Sequence, residues 1–387
     1  LTRHKDPNSP SASPVSARAL QVVVLCAVGT AACAGGRGAV VSMDPMRFAA
    51  VDVDGTRRVE VLDPEVLFRE GGQAFAAEEY LTAARRYGLI VEHFSDSRFG
   101  DVARFNAGLA FAKAGRCAEG LPFLESAAER TAGSKDAHDA LFQTAVCHET
   151  LARWADAVSV LDRILRPEHA GIVTADRIEA LTRRGQARQE LGDLAVAERD
   201  YTEALREYRH HLEDRSLVAN RYVSLAQFQI GEIYRELFRA IRFRLPLDRM
   251  SRDLEDKSNL FLKSQNAYLK TLRLQHPHVA VIAGYRLGSL YESMHDDMMA
   301  AEVPLDLSRE EIDLYYEELR KHVHPLIVRA IDIYERNVQL GRRLGGPEDE
   351  WVRKTEASLA RLREILGEHA SREALARVRD SETPDAH

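Results

Sequence analysis

The sequence predicts an all-α fold, an α-solenoid of about six antiparallel helix pairs with a short N-terminal β-hairpin. Three observations predict it. Charged residues make up 29% of the 387-residue chain and aromatic residues 7%, a balance that suits surface-rich helices better than a β-sandwich. From Pro64 onward apolar residues recur with helical period. Within that stretch one pattern of small and large residues returns several times, and internal repeats decide an architecture.

The pattern is clearest in three copies. "NAGLAFAKAGRCAEGLPFLESA" carries Gly108, Phe111, Gly115, Gly120, Leu124 and Ala127. The next copy has Ala145, His148, Ala152, Ala157, Leu161 and Ile164 in the same places. The third has Gly185, Arg188, Gly192, Ala197, Tyr201 and Ala204. Small residues belong where two helices cross closely, and large ones fill the gaps beside them. A weaker copy precedes these, anchored on Gly72, Phe75, Tyr80, Ala83, Tyr87 and Ile90, with an inter-helix turn one residue shorter. Two elongated copies follow. Gly231 and Tyr234 pair with Ser264, Tyr268 and Thr271; Gly288 and Tyr291 pair with Ala330, Tyr334 and Asn337. Their insertions each contain Pro-Leu-Asp, at Pro246 and Pro304, and Ser308 with Glu311 has the spacing of a capping box. The insertions either enlarge the core or form a ledge for a partner.

This spacing resembles the tetratricopeptide repeat (TPR), two antiparallel helices A and B joined by a tight turn. The resemblance implies a right-handed α-solenoid, since one repeat cannot bury its own apolar face and stacking does. The closing stretch "EDEWVRKTEASLARLREIL" places Trp351, Leu359, Leu362 and Leu366 near one helix face, as a capping helix would.

Ahead of the repeats, Asp54-Gly55 is a two-residue hairpin signal between alternating runs. It pairs Phe48 with Val61, Ala50 with Val59 and Asp52 with Arg57. The hairpin either packs on the first helix pair or offers an edge to a partner strand. "DVDG" is not a calcium loop, because the acidic ligands and the closing Glu of an EF-hand are missing.

The chain starts with Leu rather than Met, which suggests that the true start lies elsewhere. Leu20 to Ala32 is apolar except for Gln21 and Thr30, and it follows Arg3, Lys5 and Arg18. That is a signal-peptide core with a positive flank, too short to span a bilayer comfortably. Thr30-Ala31-Ala32-Cys33 resembles the bacterial lipobox, and the resemblance implies lipidation at Cys33. Ala32-Cys33-Ala34 also reads as an ordinary signal-peptidase site, and an uncleaved anchor is a third reading. Two or three acyl chains hold a protein on a membrane stably, and Ala34 after the cysteine points to the outer membrane, with the body facing the periplasm. The expected organisation is a signal peptide over 1–32, a lipidated Cys and linker over 33–46 and a hairpin over 47–62. Regular repeats cover 64–230, elongated repeats 231–345, a capping helix 348–370 and a polar tail 371–387.

With the lipobox, the segments "LDPEVLFREGGQAF", "AGYRLGSLYE", "VPLDLSREE" and "DEWV" resemble TPR lipoproteins of gliding and predatory deltaproteobacteria. That resemblance implies a protein–protein interaction scaffold or adaptor in a bacterial envelope complex, some relatives serving gliding motility. A pilotin-like assembly factor for a secretin and a periplasmic module that positions a cell-wall enzyme are the alternatives.

Other chemistry finds little support. A net charge of -7 disfavours nucleic acid, which needs a basic face. There is no P-loop, nucleophile elbow or zinc-protease motif, so no enzyme, cofactor or metal is expected. His276 with His278, and His322 with His324, are two apart and flank prolines, a poor metal arrangement. His295, Asp296 and Asp297 read as a solvated face. Cys117 and Cys147, thirty residues apart, read as small buried hydrophobes rather than a disulfide framework.

The TPR resemblance also implies a peptide-binding groove lined by helix A. Carried over, its residues are Phe105, Leu109, Phe142 and Glu149 in the early repeats. Gln186, Gln189 and Glu190 follow, then Phe228, Glu232, Arg235, Tyr285 and Glu292. The groove is expected to be aromatic in patches and acidic on balance, suiting an extended or helical peptide with basic residues. Asn106 matches one position of a carboxylate clamp, but the lysine and the second asparagine are missing.

Overall fold

The computed structural model describes residues 46–53, 56–132, 134–166, 172–304, 306–344 and 349–382, with backbone alone at 49–58, 60 and 368–382. The leader, Cys33, the linker and Asp54-Gly55 lie outside the described residues. One compact unit starts at Met46, and the description below concerns it.

β1 (Arg47–Val53) and β2 (Thr56–Leu62) pair antiparallel, with Phe48 opposite Val61, Ala50 opposite Val59 and Asp52 opposite Arg57, the register the sequence predicts. Phe48, Val59 and Val61 are exposed, so this apolar face is not laid on the first helix pair. The hairpin meets the helical core instead through Leu62, which is fully buried, and through the Arg47 guanidinium over the Phe94 ring.

Asp63 then starts the helices. Its carboxylate accepts from the Glu65 and Val66 N–H groups, and Pro64 needs no donor at the first helical position. Six antiparallel pairs follow: α1 (Pro64–Ala76) with α2 (Tyr80–His93), α3 (Gly100–Lys113) with α4 (Cys117–Arg130), and α5 (Lys135–Thr150) with α6 (Trp154–Ile164). Next come α7 (Thr174–Glu190) with α8 (Leu194–His210), α9 (Arg221–Ala240) with α10 (Leu247–Arg273), and α11 (Pro277–Met299) with α12 (Arg309–Leu344). Each helix packs on the next, and α7 also touches α9, α9 touches α11 and α11 touches α13 (Glu350–Glu382). The odd helices therefore share one layer.

Two devices repeat in every regular pair. The first is a close crossing. A Cβ added at Gly185 would stand 2.6 Å from the Tyr201 ring, at Gly231 2.6 Å from Tyr268, and at Gly288 2.3 Å from Tyr334. Gly108 meets Leu124 in the same way, at 2.5 Å. In the first pair the crossing residue is Gly71, 2.9 Å from Tyr87, whereas Gly72 meets only the Tyr87 hydroxyl, at 3.7 Å. The expected anchor was Gly72 with a shortened turn. The structure moves it to Gly71, and the first turn then has the regular length.

The second device is the turn. Seven residues after each crossing residue the backbone is left-handed, at Glu78, Gly115, Ala152 and Gly192. The next N–H donates back to the carbonyl three residues after the crossing residue: Glu79 to Ala74, Arg116 to Phe111, Arg153 to His148 and Asp193 to Arg188, each at 2.9 Å. This is the six-to-one bond of a Schellman ending. Glycine is suited to the left-handed residue, and Glu78 and Ala152 tolerate it only because the bond repeats.

The insertions lengthen both helices of the last pairs, α10 reaching 27 residues and α12 reaching 36. They enclose a core of their own, in which Phe238, Phe243, Leu290 and Met294 meet Met250, Phe261 and Leu326. Ser308 and Glu311 form the expected capping box, the Ser308 N–H donating to Glu311 at 2.8 Å and the Glu311 N–H to Ser308 at 3.3 Å. Asp248 does not cap α10, which starts after Pro246 with no side-chain acceptor. α13 covers the last pair with Leu359 and Leu362, and it continues to Glu382, past residue 370 where the sequence pattern ended it.

Gly231→Ala is expected to lower stability by about 1–3 kcal/mol, since the Tyr268 ring is fully enclosed and cannot swing away. Gly72→Ala, with open space, is expected to raise it by about 0.5–1 kcal/mol through helix propensity. Urea midpoints of the two variants check the register directly.

Candidate functional site

Helix A residues expected to form a groove divide into three groups. Phe105 and Phe142 are half-buried against the cores between pairs, and Phe228 is 7% exposed, tilted on Tyr268. Phe228 is thus taken up in packing between α9 and α10, because a helix A aromatic next to the crossing glycine turns inward. Tyr285 is half-buried between Tyr334 and Trp351, with ring centroids 6.0 and 5.5 Å away. Leu109 and Gln186 are half-buried, and Glu190 is exposed.

The acidic members are neutralised from within. Glu149 accepts from Arg183 at 2.6 Å, and Arg183 also holds Glu179 at 2.8 Å and receives no help from solvent, since it is 18% exposed. Burial raises the Glu149 pKa, and Arg183 opposes that shift. Glu232 faces Arg235 at 2.8 Å, Arg286 at 3.2 Å and the Tyr268 hydroxyl. Glu292, nearly buried, accepts from Tyr334 at 2.7 Å and pairs with Arg361. Gln189 accepts from the Tyr201 hydroxyl at 3.0 Å. The expectation of an acidic groove open to basic residues is corrected for three of its four carboxylates, Glu149, Glu232 and Glu292, which already have arginines. Burial raises the Tyr87 pKa, and Asn106, the partial clamp match, opposes that shift.

Three of the expected residues do converge. Gln189 of α7 and Glu232 and Arg235 of α9 line a cavity of about 440 Å³ with Glu236, Arg239, Ala240 and Arg242. Glu236 stands after Gly231 where Glu190 stands after Gly185, whereas Arg239 and Ala240 lie in the helix A extension and Arg242 just past its end, which is why the family positions do not reach those three. Among the described residues, Arg239 and Glu236 have no side-chain partner.

Charge in this region is set by a second cluster. Lys257 of α10 is fully buried, yet its ammonium donates to the Phe238 and Ile241 carbonyls, both at 2.8 Å, and meets Asp297 at 2.8 Å. It closes the open C-terminal end of α9 and lies 4.1 Å from the Phe238 ring centroid. Burial lowers the Lys257 pKa, and Asp297 resists the shift. Asp297 also accepts from Arg242 at 2.6 Å. His295 is 5% exposed. The expected solvated face at 295–297 is therefore corrected for His295 and Asp297, which the extended helices enclose.

One histidine of each His-x-His pair bonds to backbone. His276 Nδ1 accepts from the Val279 N–H at the start of α11, and His322 Nδ1 lies 2.8 Å from the Glu318 carbonyl. Among the described residues there is no cluster of metal-ligating side chains and no helix long and apolar enough to cross a membrane.

Residues 139–166, which are most of α5 with α6, match the family model described as tetratricopeptide repeat. The chain folds as a TPR solenoid. The first, second and fourth pairs share with the matched repeat the small crossing residue, the left-handed turn residue and the six-to-one bond, and the last two pairs keep the crossing glycine. No curated protein matches. Among solved structures, a TPR protein from Parabacteroides merdae is 15% identical, with TM-score 0.36, covering 76% of this chain and 98% of its own. A TPR repeats protein from Bacteroides fragilis is 14% identical, with TM-score 0.30, covering 78% and 99%. The assembly chaperone Acl4 is 14% identical, with TM-score 0.37, covering 81% and 99%. At these TM-scores none carries an argument about this chain, and the TPR description rests on its own helices and the matched repeat.

Arg183→Met leaves the Glu149 carboxylate enclosed without its cation, and is expected to cost about 3–5 kcal/mol at neutral pH. The sign of the pH effect follows from the raised Glu149 pKa. Its contribution is fully present below the unfolded-state value and is lost as pH rises through the folded value. Removing Arg183 raises the folded value further, so the deficit shrinks as the variant is acidified. Urea titrations of both proteins from neutral to mildly acidic pH check this.

Proposed function

We propose that this chain is a protein–protein adaptor of a bacterial envelope complex, tethered by lipid at Cys33, that takes a peptide segment on its helix A face at the α7–α9 cavity. The observation that carries the binding reading is the charge around that cavity. Glu232 has two arginines, Arg235 and Arg286, and Asp297 has two cations, Arg242 and Lys257. The cavity itself is lined by three arginines, Arg235, Arg239 and Arg242, against two glutamates, Glu232 and Glu236. A peptide bearing a carboxylate side chain beside its contact residues fits this surplus, and the unpartnered Arg239 guanidinium offers it a two-pronged donor. A segment that docks here is held by rigid helices on both sides, so little order is lost on binding.

The tether reading rests on the small residues before Cys33 and on the resemblance to deltaproteobacterial TPR lipoproteins. A gliding-motility role is the reading favoured by that resemblance.

Arg239→Glu, at an exposed position, leaves the fold intact by circular dichroism and is expected to lose at least tenfold of the partner recovered by crosslinking from intact cells. Equal recovery by the wild type and the variant would sink the cavity reading. Recovery of a secretin or a cell-wall enzyme in place of motility proteins would select one of the alternative roles. Cys33→Ala is expected to move the protein out of the membrane fraction and to remove an acyl mass from the mature chain.

A further inference from the structure

Cys117 is the first residue of α4, and Cys147 lies in the last turn of α5. The sequence separates them by thirty residues, but the repeat brings them together. α4 packs on α5, so helix B of the second pair meets helix A of the third. Both side chains fall in one small core with Leu121 and Leu124, flanked by Phe105, Ala112 and Leu151. Cys117 is 3% exposed and Cys147 is fully enclosed. Both are free, and the Cys117 thiol is near enough to push the Cys147 pKa up. Two free thiols brought into one small core from neighbouring helices can be bridged where their Cα atoms come within about 7 Å.

We propose that Cys117 and Cys147 are a disulfide-forming pair that joins the second repeat covalently to the third. The oxidant is a low-molecular-weight disulfide. Cys117, at the start of its helix and just after the Gly115 bend, is the thiol an oxidant reaches when the first turn of α4 opens. Its thiolate attacks one sulfur of the oxidant, forming a mixed disulfide and expelling one thiolate, which takes up the proton that Cys117 lost. Cys147 then gives its proton to solvent base, attacks the Cys117 sulfur and expels the second thiol. Two protein thiols are oxidised to one disulfide and one external disulfide is reduced to two thiols. Burial, with the neighbouring Cys117 thiol, pushes the Cys147 pKa up, so little Cys147 thiolate is present and the second step is the slower one. The link spans a single inter-repeat interface. It stops those two repeats from separating, the step by which a solenoid opens locally. The inference does not depend on what the helix A face binds.

The test uses the full chain. Folded protein is treated with oxidised glutathione, its remaining thiols are blocked in acid, and digests are mapped by mass spectrometry. A second sample is unfolded and refolded in the same oxidant. The Cys117 and Cys147 peptides are expected to appear linked, two hydrogen masses below their sum, in one or both samples. The oxidised protein is expected to melt higher than the dithiothreitol-treated protein by roughly 5–10 °C. Cys147→Ala removes the link and the redox-dependent shift. Recovery of both cysteines as blocked thiols in both samples overturns the proposal, as does their capture only by glutathione or by Cys26 and Cys33. Should Cys147→Ala fail to fold, the wild-type peptide map decides alone.

Discussion

The whole array depends on how closely helix A can approach helix B at one residue per pair. Where Gly185, Gly231 and Gly288 stand, a tyrosine ring from helix B lies against bare backbone. A methyl group there would occupy the ring's space, so the crossing distance and angle are set by the absence of a side chain. In the four regular pairs a left-handed residue seven positions after the crossing residue reverses the chain in register with it, whereas in the last two pairs helix A runs on through that position. Because the crossing recurs in the same place, successive pairs stack without long-range design.

Much of this was legible in the sequence, because close crossing demands small residues at fixed spacing and the spacing is local. The hairpin register was legible for a similar reason, since a two-residue turn leaves one pairing. The anchor of the first pair was misplaced by one residue, between Gly71 and Gly72, because two adjacent glycines satisfy the same composition and only the Tyr87 ring distinguishes them. The extended helices hid more. Nothing in "HDDMM" shows that Asp297 meets a lysine forty residues earlier, since that contact comes from the insertion core rather than from the repeat.

The binding face was legible only in outline. Family positions located helix A, and three of the twelve residues reach the cavity. Charges were read one helix at a time, however, and a carboxylate on helix A looks free until the next repeat's arginine is placed beside it. Glu149 with Arg183, and Glu292 with Arg361, pair across repeats, so the sign of the groove is a property of the stack. Arg239 and Arg242 went unnoticed because they sit in the extension of α9 and just past its end, which no regular repeat possesses. Cys117 and Cys147 show the same limit: separation along the chain says little about separation between neighbouring repeats.

Helix length also grows along the array, from 13 residues in α1 to 36 in α12, which is about 20 Å against about 54 Å of rod. The length is gained inside the pairs: α11 and α12 share a longer seam than α1 and α2, and the late pairs add a second core, while the seams between pairs do not lengthen. Heat, force or a protease therefore meets blocks that toughen along the chain but joints that do not, and a load is expected to part the array between late pairs before it opens one of them.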